Sequence, residues 1–319
     1  MTRLAAIDCG TNSLRLLISE IVDGAPREIH RTMEIVRLGQ GVDATGELHH
    51  EALARTRATL ERYAEIMQFE KVERVRMVAT SATRDAENRE DFFSMTAELL
   101  GRVQPGAQAE VISGEEEAFL SFRGAVQDLP ADAGPFCVID LGGGSTEFVV
   151  GTHNGDLAGA TSVQMGCVRL TERILRSDPP TASEIDVARD YIRERLDMVA
   201  ALVPLSQATT FVGCAGTFTT LSALAQGLER YDPSMIHCSE LNFEALRVLT
   251  GDLAATASAE RAMNPVIHQG RADVIGSGSI IVEEIMAMIR EKTQVRSFII
   301  SEKDILDGII GSLRDDTPA

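Results

Sequence analysis

The chain has 319 residues, which is enough for two domains of ordinary size. Apolar residues make up 44% and charged residues 24%, which excludes a disordered, collagen-like or disulfide-stapled chain. The formal net charge of −18 excludes non-specific coating of nucleic acid or of an anionic membrane, because the mean field of the protein repels polyanions. A polyanion would have to bind at a local basic site or through a divalent metal.

No stretch of the sequence has the roughly 18 consecutive apolar residues that a membrane-spanning helix requires. The N-terminus enters a strand-like segment at Leu4, without the apolar region and cleavage site of a signal peptide. The cysteines are odd in number and form no C-x-x-C pair, which indicates reduced thiols and argues against a cysteine metal site. We therefore expect a cytoplasmic protein.

Hydrophobic periodicity predicts the elements of the first half in chain order. The segments predicted as strands are 4–7, 14–18, 28–38, 75–79 and 109–112. Apolar residues at near-helical spacing predict helices over 48–67, 85–100 and 115–126. Residues 127–135 contain two prolines and a glycine, which favours a linker between two domains.

The second half repeats the plan. Strands are predicted over 136–140, 145–151, 157–163, 210–214 and 297–300, and helices over 217–228, 242–253 and 274–291. A further long helix should follow Asp178, with Thr181 as its N-cap and Glu184 completing a capping box. This order of elements predicts α/β domains, each with a mixed sheet covered by helices.

Residues 6–18 and 138–150 resemble each other at a constant offset. Each segment has an apolar strand that ends in Asp, a glycine-rich turn with a serine, and a second apolar strand. This pattern predicts a β-hairpin whose turn offers backbone N–H groups and a hydroxyl. Two copies predict two domains of related fold.

A third glycine-containing turn, Gly213–Thr217, also follows an apolar strand. One such turn would be read as a tight turn, but three at strand ends favour phosphate binding. The P-loop and Rossmann patterns are both absent from the sequence, which excludes those two nucleotide-binding folds. The candidate phosphate-binding residues are Gly10, Thr11, Asn12, Ser13, Arg15, Gly142, Gly143, Gly144, Ser145, Gly216 and Thr217.

Carboxylates lie beside these turns. Asp8 and Asp140 end equivalent strands, and Glu147 follows the second turn, so all three are candidate ligands of Mg²⁺ or another divalent cation, with turn capping as the alternative role. Residues 115–117 are three consecutive glutamates at a predicted helix start. They are either a solvated acidic first turn or include one base that takes a proton from water.

Several arginines stand close to the turns in sequence, and arginine suits bidentate contact with phosphate. They are Arg15, Arg37, Arg84, Arg169 and Arg271. Surface ion pairs are the alternative for most of them, but Arg84 directly follows an apolar strand and is the one expected to bind phosphate. The histidines form no metal-binding or catalytic motif, so Cys9, Cys167 and Cys214 are expected to be packing residues.

Five motifs in this order and spacing resemble the exopolyphosphatase / guanosine pentaphosphate phosphohydrolase family of the actin–sugar kinase–Hsp70 superfamily. The likeness runs from about residue 4 to about residue 310. The motifs are Ala-Ile-Asp-Cys-Gly-Thr-Asn-Ser-Leu-Arg-Leu at 6–16, Ala-Thr-Ser-Ala-Thr-Arg-Asp-Ala at 79–86, Ser-Gly-Glu-Glu-Glu-Ala at 113–118, Ile-Asp-Leu-Gly-Gly-Gly-Ser-Thr-Glu at 139–147, and Gly-Cys-Ala-Gly-Thr at 213–217.

The resemblance implies two RNase H-like (actin-like ATPase) domains with mixed sheets flanked by helices, and an active site in the cleft between them. It implies that Glu117 is the catalytic base, that Arg84 clamps phosphate, and that Asp140 and Glu147 are linked to the metal. It also implies that the last helix folds back onto the first domain. The expected domains are residues 1–126 with about 303–319, and residues 127–302.

Two departures from the family pattern bear on these expectations. Residues 301–308 lack the first glycine and the arginine of the family's C-terminal motif, so no site role is carried over there. We also expect no counterpart of the C-terminal helical domains of longer relatives, one of which has His-Asp motifs. With few candidate cations on an acidic chain, we expect a preference for short polyphosphate.

The leading functional hypothesis is an exopolyphosphatase that releases orthophosphate from the end of linear polyphosphate. The alternative is the same chemistry on guanosine pentaphosphate (pppGpp). From other classes, a nucleotide-dependent kinase or chaperone and a non-catalytic binder of polyphosphate or alarmone are disfavoured by the Glu117 and Arg84 motifs. No nucleic-acid or membrane partner is expected, and a homodimer is among the oligomeric states that the sequence allows.

Overall fold

The computed structural model of the protein describes residues 2–315. The chain divides into two compact units. The first runs to Gly124 and resumes at Ile305, and the second is Ala125–Asp304. Within residues 2–315, no helix combines the length and the hydropathy needed to cross a membrane.

The first unit contains a five-stranded sheet with the order β3-β2-β1-β4-β5. Strand β1 is antiparallel to β2 and parallel to β4, so the sheet is mixed. Its central strand β1 is buried along nearly its whole length, because it has a neighbour on both sides and is covered on both faces. The elements are β1 (Arg3–Cys9), β2 (Ser13–Val22), β3 (Ala25–Ile35), α1 (Val42–Thr45), α2 (His50–Phe69), β4 (Arg74–Ala79), α3 (Ser81–Asp85), α4 (Arg89–Leu100), β5 (Ala109–Val111) and α5 (Gly114–Val126).

The second unit has a six-stranded mixed sheet with the order β10-β11-β9-β6-β7-β8. Apart from the edge strand β10, this repeats the order of the first sheet, and it is the order of the RNase H-like fold. The predicted fold class is confirmed. The elements are β6 (Phe136–Leu141), β7 (Thr146–Gly151), β8 (Leu157–Val163), α6 (Cys167–Arg173), α7 (Ala182–Leu202), β9 (Thr210–Cys214), α8 (Ala215–Ala225), α9 (Pro233–Ile236), β10 (Ser239–Asn242), α10 (Phe243–Ala255), α11 (Ser258–Arg261), α12 (Ile275–Lys292) and β11 (Ser297–Ile300).

The last helix, α13 (Ile305–Asp315), packs on the sheet of the first unit. Its apolar residues recur at helical spacing and form one face that contacts β1, β2 and β4. Asp307 accepts two hydrogen bonds from Arg31, at 2.9 and 3.0 Å. The sequence resemblance implied this placement. The apolar face consists of Ile305, Leu306, Ile309, Ile310 and Leu313.

The structure corrects some element predictions. A continuous helix over 85–100 was wrong, because α3 ends at Asp85 and α4 begins only at Arg89. Helix α6 and strand β10 were missed, since both are short and neither has a clear apolar period. The capping box of Thr181 and Glu184 is confirmed at the start of α7.

Gly308 is where α13 comes closest to the rest of the first unit. A Cβ atom at Gly308 would lie 2.0 Å from the carbonyl oxygen of Leu120, so the helix packs against backbone and not against a flexible side chain. We expect Gly308→Ala to lower the free energy of unfolding by about 1–3 kcal/mol, the usual cost of overpacking. The measurement is the midpoint of urea unfolding.

Gly311→Ala is the matched control on the same helix. Its added Cβ would have only the guanidinium of Arg123 nearby, at 3.9 Å. Because alanine is the better helix former by about 1 kcal/mol, this variant should be unchanged or more stable. Equal midpoints for Gly308→Ala and the unsubstituted protein would show that α13 does not pack as described.

Candidate active site

In the first unit, the carbonyl groups of the turn between β1 and β2 accept hydrogen bonds from neighbouring N–H groups. Gly10 N–H donates to the carbonyl of Ser13 at 3.0 Å, which closes the turn. The carbonyl of Asn12 accepts from the N–H groups of Val36 and Arg37, and the carbonyl of Thr11 accepts from Gly39. With its carbonyls bonded in this way, the turn is fixed in one conformation.

The Thr-Ser-Ala-Thr-Arg segment lies next to this turn. Strands β1 and β4 are parallel, and Cys9 is opposite Ala79, so both strands end at the same edge of the sheet. Thr80 N–H donates to the carbonyl of Cys9 at 3.2 Å, and the hydroxyls of Thr11 and Ser81 are 2.9 Å apart. Two segments about 70 residues apart in sequence therefore form one polar surface.

Arg84 and Glu117 lie together at this edge. Arg84 Nη1 donates to the carbonyl of Ile112 at 2.9 Å and to Glu117 Oε2 at 3.3 Å. Within residues 2–315, the Nε and Nη2 groups of Arg84 have no protein acceptor, and they are available to a phosphate oxygen.

The structure distinguishes the three consecutive glutamates at the start of α5. Glu115 is exposed, and Glu116 is half-buried and forms an ion pair with Arg76. Glu117 is buried, and it is the one that contacts Arg84. Successive side chains of a helix point in directions about 100° apart, so only one of the three glutamates can point toward Arg84.

Asp8 and Arg15 face each other across the first hairpin. They are partners in the β1–β2 register, and Asp8 Oδ2 accepts from Arg15 Nη2 at 2.7 Å and from Nε at 2.9 Å. The carboxylate of Asp8 is therefore compensated by a cation of its own hairpin.

The second hairpin has a different pair at the same two positions. Asp140 is directly opposite Glu147 in the β6–β7 register, and both side chains are buried. Ser162 Oγ donates to Glu147 Oε1 at 2.6 Å, which orients that carboxylate. Where the first hairpin pairs an acid with a base, the second therefore places two acids face to face.

The second turn, Gly142–Ser145, is also held by its carbonyls. The N–H groups of Cys167 and Val168 donate to the carbonyls of Gly142 and Gly143, and Arg169 Nε donates to the carbonyl of Gly144. Among the residues that the structure describes, no acceptor is bonded to the N–H groups of Gly143 or Gly144. Such N–H groups can bind a phosphate oxygen.

Gly166 allows this close approach, and the sequence analysis missed it. A Cβ there would lie 2.3 Å from the carbonyl carbon of Gly143, so only glycine fits. A glycine directly before a short helix was the only signal in the sequence, and it gave no indication of the partner segment. At the first turn, a Cβ on Gly39 would lie 2.3 Å from a side-chain atom, Cγ2 of Thr11.

The third turn joins β9 to α8 and contains a strained residue. Ala215 has a φ of 65°, a left-handed conformation that is uncommon for a residue other than glycine. Arg271 lies on this turn: its Nη1 donates to the carbonyl of Gly216 at 3.3 Å, and a Cβ on Gly216 would lie 2.2 Å from its Cζ. A Cβ on Gly278 of α12 would lie 2.8 Å from the side chain of Thr217, so α12 packs closely against the turn.

The sequence-predicted residues thus form one group in each unit. The first unit contains Asp8, Gly10–Ser13, Arg15, Arg37, Arg84 and Glu117, and the second contains Asp140, Gly142–Ser145, Glu147, Arg169, Gly216, Thr217 and Arg271. All five predicted arginines contact a turn or a carboxylate beside one.

The cysteines near the turns are buried. Burial raises the pKa of the Cys167 thiol to about 11 and raises the pKa of Cys9 still further. A thiol with a raised pKa is protonated at neutral pH and is a poor nucleophile. The role of packing residues, predicted for Cys9 and Cys167, agrees with this chemistry.

The sequence matches the Ppx/GppA phosphatase family over residues 17–314, and the chain belongs to this family. It is 53% identical over 317 residues to Exopolyphosphatase 2 of Mycobacterium tuberculosis, a match that covers 98% of this chain and 99% of that protein. A crystal structure of an exopolyphosphatase-like protein superposes with a TM-score of 0.92 at 38% identity, covering 98% of this chain and 99% of the other. A guanosine-5′-triphosphate,3′-diphosphate pyrophosphatase of Photobacterium profundum is 34% identical over 227 residues, which are 70% of this chain and 44% of that protein.

Proposed function

We propose that the protein is an exopolyphosphatase that hydrolyses the terminal phosphoanhydride bond of linear, short-chain polyphosphate and releases orthophosphate. The observation that carries this proposal is the buried Glu117 held by Arg84 beside a polar turn. The family and the 53% identity to a named exopolyphosphatase support it independently.

In this proposal, Glu117 orients a water molecule and takes its proton as the water attacks the terminal phosphorus. Arg84 keeps the Glu117 carboxylate in place through Nη1 and offers Nε and Nη2 to the phosphate. In the second unit, the N–H groups of Gly143 and Gly144 are the groups proposed to bind phosphate oxygens. Transfer of a phosphoryl group needs mainly positioning and neutralisation of charge, and these groups supply both.

Asp140 and Glu147 fit a divalent cation such as Mg²⁺. They are hard oxygen ligands, both buried and directly opposite each other in the β6–β7 register. Among residues 2–315, no group of three or more side chains that could hold a metal ion is found. When bound, such an ion would neutralise negative charge on the phosphates. Asp8 is a weaker candidate, because Arg15 already compensates it.

Hydrolysis of pppGpp at its 5′ end is the second candidate. It needs the same base, turns and cation, and a relative named for that activity is 34% identical over 227 residues. Orthophosphate release from polyphosphates of defined length, measured beside release from pppGpp, distinguishes the two functions.

We also propose a cytoplasmic location. Four of the five cysteines are buried as thiols, and the fifth, Cys238, is exposed, an arrangement that suits a reducing compartment.

Glu117→Gln should lower kcat by about 10²–10⁴-fold, because the change removes the proton acceptor with almost no change in volume. Substrate binding should persist, since the amide keeps the size and polarity of the side chain. The matched control is Glu115→Gln, which neutralises an exposed acid of the same helical turn and should leave kcat unchanged. A decrease of less than about tenfold in Glu117→Gln would mean that another group is the base.

Asp140→Asn should raise the Mg²⁺ concentration needed for half-maximal activity by about tenfold or more, because a neutral amide is a poorer ligand for a hard cation. Asp132→Asn is the control, since Asp132 is exposed and precedes the same strand. The measurement is activity against Mg²⁺ concentration. Full activity of the unsubstituted protein in excess chelator would contradict the assignment of a metal.

Degradation of a long polyphosphate should be distributive. Each phosphate beyond the few near the candidate arginines would lie over a surface whose mean field is repulsive, because the net charge is −18. Gel electrophoresis at low enzyme concentration should show a ladder of intermediate lengths. Only full-length and fully degraded chains, with nothing between them, would contradict low processivity.

A further inference from the structure

A second basic surface lies in the second unit and involves none of the residues discussed so far. A cavity of about 700 Å³ opens between helices α7, α10 and α12, a size within the usual range for ligand pockets of roughly 300–1,000 Å³. We name it the arginine cavity, after four of its lining residues: Arg189, Arg193, Arg247 and Arg290.

The charged side chains that line the arginine cavity differ in how far they are exposed to solvent. The two lining carboxylates are at the bottom: the side chain of Glu284 is 6% exposed and that of Glu283 is 14% exposed. The arginines nearer the mouth are far more accessible, at 56% for Arg193, 66% for Arg247 and 46% for Arg290. A ligand that enters from solvent therefore meets these guanidinium groups before it meets Glu283 and Glu284.

The deep carboxylates serve to hold the cations in place. Glu284 accepts from both Arg189 and Arg193, the latter at 2.8 Å from Nε. Glu283 accepts from Arg189 and from the hydroxyl of Thr250 at 2.9 Å, which fixes its own position. Guanidinium groups held in this way lose little side-chain entropy when an anion binds.

The mouth of the cavity retains donors for an anion. Arg290 uses Nη1 on Glu244 at 3.1 Å, and Arg247 approaches the same carboxylate only at 3.8 Å, beyond hydrogen-bond distance. Glu244 is 65% exposed, so solvent screens its pull on both arginines. Asp190 lies 3.8 Å from Arg193 and is 82% exposed, so its pull is screened in the same way. The N–H groups that these ion pairs leave unused on Arg193, Arg247 and Arg290 can donate to phosphate oxygens.

We propose that the arginine cavity is a second binding site for a chain of linked phosphates, separate from the residues proposed for catalysis. Its ligand carries at least two adjacent phosphate groups, because the accessible cations are spread over three helices and a single phosphate would reach only part of them. Two sources share this chemistry: inorganic polyphosphate and the triphosphate of a nucleotide. The apolar part of the lining, Phe243, Met286 and Ala287, would matter only for the second.

The test is equilibrium dialysis with a bis-methylene triphosphonate, an analogue of tripolyphosphate that cannot be hydrolysed. The variant is the double substitution Arg247→Gln with Arg290→Gln, which removes two accessible cations and leaves the deep network of Arg189, Arg193, Glu283 and Glu284 intact. The matched control is Arg195→Gln, which makes the same change on α7 at a position that does not line the cavity.

We expect the unsubstituted protein and Arg195→Gln to bind one more ligand per chain than the double variant, with turnover of a short polyphosphate at low concentration equal in all three. Equal numbers of bound ligands in the unsubstituted protein and the double variant would overturn the proposal. The difference between the two proteins decides the matter, so the result does not depend on whether the catalytic assignment is right.

A second measurement guards against a variant that folds poorly. Hydrogen exchange of the unsubstituted protein with and without the triphosphonate should show slower exchange at the mouth of the cavity, in α10 and α12, and unchanged rates there would also overturn the proposal. Guanosine 5′-(β,γ-methylene)triphosphate identifies the source: tighter binding than the triphosphonate by about tenfold or more indicates a nucleotide, and equal or weaker binding indicates polyphosphate.

Discussion

In each unit, the candidate site residues around the hairpin turn depend on one constraint, the parallel pairing of a hairpin strand with the next strand of its sheet. In the first unit, β1 pairs with β4, and in the second, β6 pairs with β9. Parallel strands end at the same edge of a sheet, so the segment that follows each strand is placed beside the hairpin turn. This pairing brings Thr80 and Ser81 to the first turn, and it places Cys214 opposite Asp140 at the start of the second.

The two hairpins show how one backbone arrangement can have two electrostatic outcomes. The first compensates Asp8 with Arg15 across the β1–β2 register, whereas the second places Glu147 at the equivalent position opposite Asp140. The first hairpin thus pairs its acid with a base, and the second has an acid at both positions. This difference between Arg15 and Glu147 is the reason that the proposed divalent cation is assigned to the second hairpin.

Close contacts with backbone atoms also restrict which residues the sequence can have at certain positions. Gly166 lies against the backbone of Gly143, and Gly308 lies against the carbonyl of Leu120, at distances that exclude a side chain. In each case the neighbour is packed close and cannot move without displacing a turn or a helix. The carbonyls of both hairpin turns are bonded within the protein, which fixes the turns, and among the described residues no acceptor is bonded to the N–H groups of Gly143 and Gly144.

The sequence alone determined the fold class and most strands, because the alternation of apolar segments with glycine-rich turns is local and repeats in both halves. It also identified the turns and the arginines near them. Residue types alone could not choose among Glu115, Glu116 and Glu117, since all three suit the start of a helix. The family resemblance pointed to Glu117, and burial and the contact with Arg84 distinguish it in the structure. The tertiary structure alone revealed the Asp8–Arg15 pair, the approach of Gly166 to Gly143 and the arginine cavity. Each of these contacts brings residues together through strand register or helix packing. The residue types along the sequence do not show by themselves which residues are brought together.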